Sequence, residues 1–338
     1  MSSDFGYINA RVRGMKAKLL ESEFYTQALG DSDFRAFVGT IAQTPYTNEL
    51  EEAQSRDSGL TALDRAVAEN FRRAARSILG FSDGRPHELI ALLLIGYDLM
   101  NLKTLARAKH AGREGEGVSS ALLPAGELKP ALVETMAASA DLPAMAQVLA
   151  VTGHPLSRAF GRAVRRYASS GRLFEFELTL DRAYFSTLLD AMEALDAPKE
   201  LIRYVRRQID AANLSTALKV RGKAATGEDL YLPGGREVDR STFDAIVADS
   251  TQGALANLSG TGFADVANTS TLAEADRVIR RVLDQGAHRL SLRDPLGPGV
   301  VVDFLRRKEA ESARLRLLAR GKFYDVPREQ LEKELGHA

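Results

Sequence analysis

The sequence predicts an all-α protein made of three similar helical subdomains. Three observations carry this reading. Ala, Leu, Arg and Glu fill long stretches and β-branched clusters are few. Apolar residues recur at spacings of three and four rather than two. One acid–polar–base pattern occurs three times along the chain.

The elements follow in chain order. Leu60, Leu63, Ala66, Val67, Phe71, Ala74, Ala75 and Ile78 make one apolar helical stripe. Asp57 or Ser58 is placed to cap it, and Thr61 to Asp64 has the spacing of a capping box. Gly80 and the cluster Ser82-Asp83-Gly84-Arg85-Pro86 end it. A second helix is expected over residues 87–109, stopped by Gly112, Gly115 and Gly117. The best β-like run, Val300-Val301-Val302, is followed by helical spacing from Asp303 to Arg320, so it reads as a helix start.

The repeat is the most informative feature. Asp98, Asn101, Leu102, Leu105, Arg107 and Lys109 recur in register as Asp210, Asn213, Leu214, Ala217, Lys219 and Arg221. They recur again as Glu311, Arg314, Leu315, Leu318, Arg320 and Lys322. A second pattern precedes each copy: Leu63-Asp64-Arg65-Ala66, Leu180-Asp181-Arg182-Ala183 and Ala275-Asp276-Arg277-Val278. The linker Leu123-Pro124-Ala125-Gly126 is echoed by Leu232-Pro233-Gly234-Gly235. A period of roughly 110 residues exceeds the roughly 20 to 50 of common solenoids, so each copy is a subdomain. Expected boundaries are 1–120, 121–230 and 231–338, with the N-terminal helix free to pack on a neighbouring subdomain. Three such units can close around a pseudo-threefold axis or stack in a line, and the repeat alone does not choose.

Composition narrows the function. The 45 basic and 45 acidic residues cancel, so no whole-chain attraction to nucleic acid or anionic lipid exists. Arginine doublets such as Arg72-Arg73 and Arg206-Arg207 are spread along the chain, without the aromatic interleaving of a nucleic-acid face. There is no cysteine, which removes disulfides and thiolate chemistry and fits a reducing compartment. The N-terminus lacks a charged-then-apolar leader pattern. The longest uninterrupted apolar run, residues 89–95, is about two turns, well short of the roughly 20 residues that span a bilayer.

No catalytic, cofactor or metal site is expected. The five histidines form no His-x-x-x-His or His-Glu-x-x-His pair. His154, between Gly153 and Pro155, reads as part of a turn. Glu51 and Glu52 are sequential and point apart on a helix. The P-loop signature is absent, and the glycines from Gly112 to Gly117 follow no strand, so they read as a loop. Ser259-Gly260-Thr261-Gly262 reads as a linker. The bases ending each repeated helix complement the negative end of the helix dipole. Asp98 and Lys109 lie about three turns apart, near one face.

These segments resemble a known family. Residues 4–13, the run Asp98 to Lys109, residues 146–156, Asp294-Pro295-Leu296-Gly297 and Arg314 to Lys322 are similar, in order and spacing, to the C subunit of V/A-type rotary ATPases. That family is related to the eukaryotic d subunit, and the likeness covers residues 4–334. Arg314 departs from the asparagine of the other two copies. The resemblance implies three helical subdomains around a pseudo-threefold axis, forming a funnel with a central cavity. It implies a non-catalytic rotor subunit that connects the central shaft, subunits D and F, to the membrane rotor ring and passes torque between ATP synthesis or hydrolysis and ion transport. The location implied is peripheral, on the cytoplasmic face of the cell membrane. From this, Arg107, Lys109, Lys219, Arg221, Arg320 and Lys322 are the candidate shaft-interface residues. The alternative is a helical-repeat interaction module of an unrelated complex.

Overall fold

The computed structural model describes residues 5–113, 118, 122–222, 230–249 and 253–336. Among these residues no strand occurs, and the chain is α-helical with two short 3-10 segments. The N-terminal elements are α1 (Gly6–Lys16), α2 (Ser22–Gly30), α3 (Phe34–Ile41) and α4 (Thr47–Gln54). The first long pair is α5 (Gly59–Gly80) and α6 (Gly84–His110). Then come α7 (Pro130–Ala138), α8 (Leu142–Ala150) and α9 (Ser157–Ser170), followed by the second long pair, α10 (Leu173–Ala194) and α11 (Lys199–Val220). Next is α12 (Arg240–Ala248), with 3-10 turns at Gly253–Leu258 and Ala264–Asn268. The third long pair is α13 (Leu272–Arg293) and α14 (Gly299–Phe323), and α15 (Arg328–Leu335) follows. Each predicted long helix is therefore present, including the valine run at the start of α14. The glycine loop expected after α6 lies partly outside the described residues, at 114–117.

Local capping explains several starts. Asp33, Asp141 and Asp239 accept from the backbone N–H of Ala36, Ala144 and Thr242, satisfying donors that a first helical turn leaves unpaired. Thr271 and Glu274 form a reciprocal capping box at the start of α13. The box expected at Thr61 is not formed. Ser58 occupies the cap position of α5 without a side-chain bond, and the Asp64 carboxylate is drawn instead to Arg316 and Arg320.

The chain divides into two compact units, Met1–Leu180 with Phe304–Ala338, and Asp181–Asp303. In the first, both chain ends share one core. Phe37, Ile41, Tyr46 and Leu50 pack with Leu63, Ala66 and Val67 of α5 and with Leu315, Leu318 and Ala319 of α14. Phe34 and Phe323 meet edge to face at 5.3 Å between centroids. In the second unit, α11 packs on α12 and α13. Its core draws on Leu201, Val205 and Ile209 of α11 with Ala275, Ile279 and Leu290 of α13.

Helix α6 has an 18-residue window of mean hydropathy 1.5, so by length and composition it could cross a bilayer, which the short uninterrupted run did not suggest. Over half of that window is buried in the protein. Asp98 and Asn101 in its middle are tied to a loop of the same unit, the pattern of a core helix.

Candidate partner-binding surface

The repeated side chains build one device twice. Asn101, 1 % exposed, donates to the backbone carbonyl of Leu123 and accepts from its N–H, both at 2.9 Å. Asn213 makes the same pair of bonds with Leu232, both at 2.8 Å. A side-chain amide has one donor group and one acceptor in the geometry a peptide presents, so it binds the loop as a neighbouring backbone would. Three residues earlier on each helix, an aspartate takes the next loop amides. Asp98 accepts from the N–H of Glu127 and Leu128, and Asp210 from those of Arg236, Glu237 and Val238. Burial pushes the Asp210 carboxyl up from its ordinary range, and the backbone N–H donors pull the other way. The echoed linker glycines follow from this clamp. A Cβ on Gly126 would lie 2.2 Å from an Asp98 oxygen, and one on Gly235 would lie 2.1 Å from Asp210.

The third copy takes its loop from the other end of the chain. Glu311 of α14 accepts from the N–H of Leu20 and from the Tyr46 hydroxyl, the latter at 2.7 Å. Lys308 donates to the same carboxylate at 2.6 Å. Burial holds the Lys308 ammonium below its usual range while Glu311 opposes that shift. Burial, reinforced by the Glu311 charge, pushes the Tyr46 phenol well up. A repeated turn accompanies the clamps. Thr44, Thr152 and Thr261 each donate to the carbonyl three residues back and accept from the N–H two residues on. That second residue is Tyr46, His154 or Phe263. His154 Nδ1 accepts from the Leu156 N–H, so its Nε2 carries the proton and donates to Asp98 at 3.0 Å. His154 is thus a turn residue, as expected, and also a buried partner of the clamp. The spacing of these threonines, close to that of the acids, was the unused signal that the N-terminal segment belongs to the repeat.

Each repeated helix also meets the opening helix of the next copy. Arg107 of α6 binds Glu177 of α10 through two bonds of 2.6 and 2.8 Å. Ser215 of α11 reaches Asp276 of α13 at 3.5 Å. Arg316 and Arg320 of α14 reach Asp64 of α5, at 3.5 and 3.0 Å.

The six candidate bases therefore differ. Arg107 and Arg320 are engaged in these ion pairs. Lys322 is buried and donates to the carbonyls of Leu29 and Asp31. Lys109 is half-buried, Lys219 is exposed, and neither side chain has a polar partner among the described residues. Nη1 of Arg221 is buried without a hydrogen-bond partner among them. Among the described residues no group of three or more His, Asp or Glu side chains could hold a metal.

The ATP synthase (C/AC39) subunit family model matches residues 8–334. The chain belongs to this family. It is 36% identical over 335 residues to the C subunit of the V-type ATP synthase of Thermus thermophilus, covering 99% of both chains. It is 34% identical to the C subunit of the V-type ATP synthase of Deinococcus radiodurans, covering 99% of this chain and 92% of that one. The C subunit of the A-type ATP synthase of Haloferax volcanii is 29% identical, over 97% and 96%. As a C/AC39 family member, the chain is part of a membrane-associated V/A-type ATPase, and its clamps and ion pairs lie within the matched span.

Proposed function

We propose that this chain is the non-catalytic rotor subunit that connects the central shaft, subunits D and F, to the membrane rotor ring and transmits torque between ATP turnover and ion transport. In this reading it is peripheral, on the cytoplasmic face of the cell membrane, and meets lipid only through the ring. The full-length match to the C/AC39 family carries the proposal. The contact scheme supports it. Each repeated helix meets the opening helix of another copy, and the last of these contacts, from Arg316 and Arg320 to Asp64, ties the third copy to the first. The reading carries with it the family's arrangement of three subdomains around a pseudo-threefold axis. A torque adaptor has to be stiff, and close-packed helices joined by buried polar clamps supply stiffness.

Within that reading the shaft contacts the basic ends of the repeated helices. Lys109, Lys219 and Arg221 are the residues free to do so, with Arg107 and Arg320 at the margin. The test is size exclusion with light scattering of the purified chain and the co-expressed D–F pair from the same organism. A stable one-to-one-to-one complex is expected, and the triple variant Lys109→Glu, Lys219→Glu, Arg221→Glu should weaken it. No complex at micromolar concentration over a range of salt would turn the reading towards an interaction module of another assembly. A complex indifferent to the triple variant would remove these bases from the interface.

A further inference from the structure

In the second unit five arginines line one pocket of about 370 Å³. Arg203 and Arg207 stand on α11, Arg236 on the clamped loop, and Arg289 and Arg293 on α13. Tyr204 and Leu290 contribute apolar wall. Three acids share the lining, and each is already engaged. Asp210 holds backbone N–H groups. Glu237 accepts from Arg207 and from the Gly262 N–H. Glu200 pairs with Arg203 and Arg293. Arg289 donates to the neutral Gln285 at 3.1 Å, and Arg236 has no side-chain partner among the described residues. Five guanidinium groups against three committed carboxylates leave positive charge facing one concave volume.

The fold does not require this cluster. Counted from Asp98, the first copy has Ala91 and Ile95 where the second has Arg203 and Arg207. Counted from the loop glycines, it has Glu127 in place of Arg236. Counted from Glu311, the third copy has Phe304 in place of Arg203. The third copy keeps a base at the Arg207 position, Lys308, but it is buried against Glu311 and Tyr46. The helix-and-clamp unit is built in those copies without the arginines, so the arginine cluster as a whole is a property of the second copy alone.

We propose that this pocket binds a small, multiply charged phosphate anion, either free pyrophosphate or the di- or triphosphate group of a nucleotide. A planar guanidinium fork matches two phosphate oxygens and keeps its charge at any working pH. A volume in the range of small-molecule sites, roughly 300–1,000 Å³, favours such an anion over a flat protein partner.

The test is calorimetric titration of the full chain with pyrophosphate, ADP, ATP and adenosine at low and at physiological salt. Saturable one-to-one binding of pyrophosphate is expected, weakened by salt, with no binding of adenosine. ADP or ATP binding more tightly than pyrophosphate assigns a nucleotide as the source, and equal binding assigns the phosphate group alone. The double variant Arg236→Gln, Arg289→Gln should bind about ten- to hundredfold more weakly while its unliganded melting temperature stays within a degree or so, since both side chains are exposed and removing charge-assisted bonds acts on the ligand. Three results overturn the proposal: no saturable binding of pyrophosphate at millimolar concentration, binding that the double variant leaves unchanged, or preferential binding of a polyglutamate peptide, which would make the patch a site for an acidic protein segment.

Discussion

Replacing Asn101 with leucine separates the clamp from ordinary core packing. The two side chains are close in size, so little cavity forms. The loss is the pair of bonds to Leu123, whose N–H is left without a partner in a place only 5 % exposed, while its carbonyl keeps the bond from the Ala125 N–H. The stranded N–H costs about 1–3 kcal/mol and the lost bond to the carbonyl about 0.5–1.5, while the gain from burying a leucine offsets roughly 1.5–3 of that sum, leaving a net loss of up to about 3 kcal/mol. For a chain of this size, that lowers the melting temperature by up to roughly 6 °C. Asn213→Leu should act alike through Leu232. Arg314 holds the same register position in the third copy but lies over the Tyr25 ring, 5.6 Å from its centroid, so Arg314→Leu should cost about 1 kcal/mol or less. Circular dichroism melts read the shifts, and amide exchange at Leu123 and Leu232 reads the local opening. Asn101 and Asn213 belong to different compact units, so if the melt shows two transitions each variant should move its own. Equal costs at all three positions, or unchanged protection of the Leu123 amide in Asn101→Leu, would refute the clamp argument.

Other consequences follow from the same contacts. Gly126→Ala and Gly235→Ala put a methyl group inside the space of the clamped carboxylates, and each should destabilise by about 1–3 kcal/mol in urea unfolding, whereas Gly14→Ala, with open space at its Cβ, should not. Arg320→Ala removes the 3.0 Å guanidinium partner of the buried Asp64 carboxylate and should cost about 1–2 kcal/mol, with part of the loss recovered by the double variant Asp64→Asn, Arg320→Ala. The Asp239 carboxyl is held below its ordinary range, first by the backbone N–H of Thr242. A depressed folded value means that its stabilisation is present above the usual aspartate range, near about 4, and is lost as pH falls through the folded value. The stability difference between pH 7 and pH 3 should therefore be smaller in Asp239→Asn than in the parent, while a cap remains at pH 7.

The long helices were legible because they announce themselves locally. Apolar residues at three and four, glycine and proline at the ends, and the triple register of acid and base can all be read without knowing what touches what. The linker echo was legible too, although its reason was not. Glycine at positions 126 and 235 is explained only when carboxylates 28 and 25 residues away occupy the space of a Cβ. The acid–base reading of the repeated helix was incomplete for the same cause. Asp98 and Lys109 read as charges near one face, but Asp98 turns to backbone amides and Arg107 finds Glu177 on another helix. The Thr61 capping box had the right spacing and failed because α5 starts two residues earlier, at Gly59, which puts Thr61 inside the first turn and leaves Asp64 to Arg316 and Arg320. Sequence spacing ranks local partners, and a buried carboxylate goes to whichever donors satisfy it most fully.

The third copy is built differently. Its repeated helix carries Glu311 where the others carry aspartate, and no linker like residues 123–126 follows it. The longer side chain reaches the Leu20 N–H, the Tyr46 hydroxyl and Lys308 at once, so the first fifty residues do for α14 what the loops after α6 and α11 do for those helices. Lys322 fastens the same seam at the carbonyls of Leu29 and Asp31. A linear repeat protein needs polar caps at its two free ends. Here the two ends bury each other, with Leu315, Leu318 and Leu331 in one core with Phe37 and Leu50. Weakening that seam should therefore act as a break in the scaffold rather than as fraying. Lys322→Met takes the donor from the buried Leu29 carbonyl and the half-buried Asp31 carbonyl, at about 1–3 kcal/mol for the buried one. Amide exchange should rise in α2 and α14 together if the seam joins them. Faster exchange confined to α15 would mean that Lys322 only anchors a terminal helix, and the argument that it fastens the two chain ends to each other would be withdrawn.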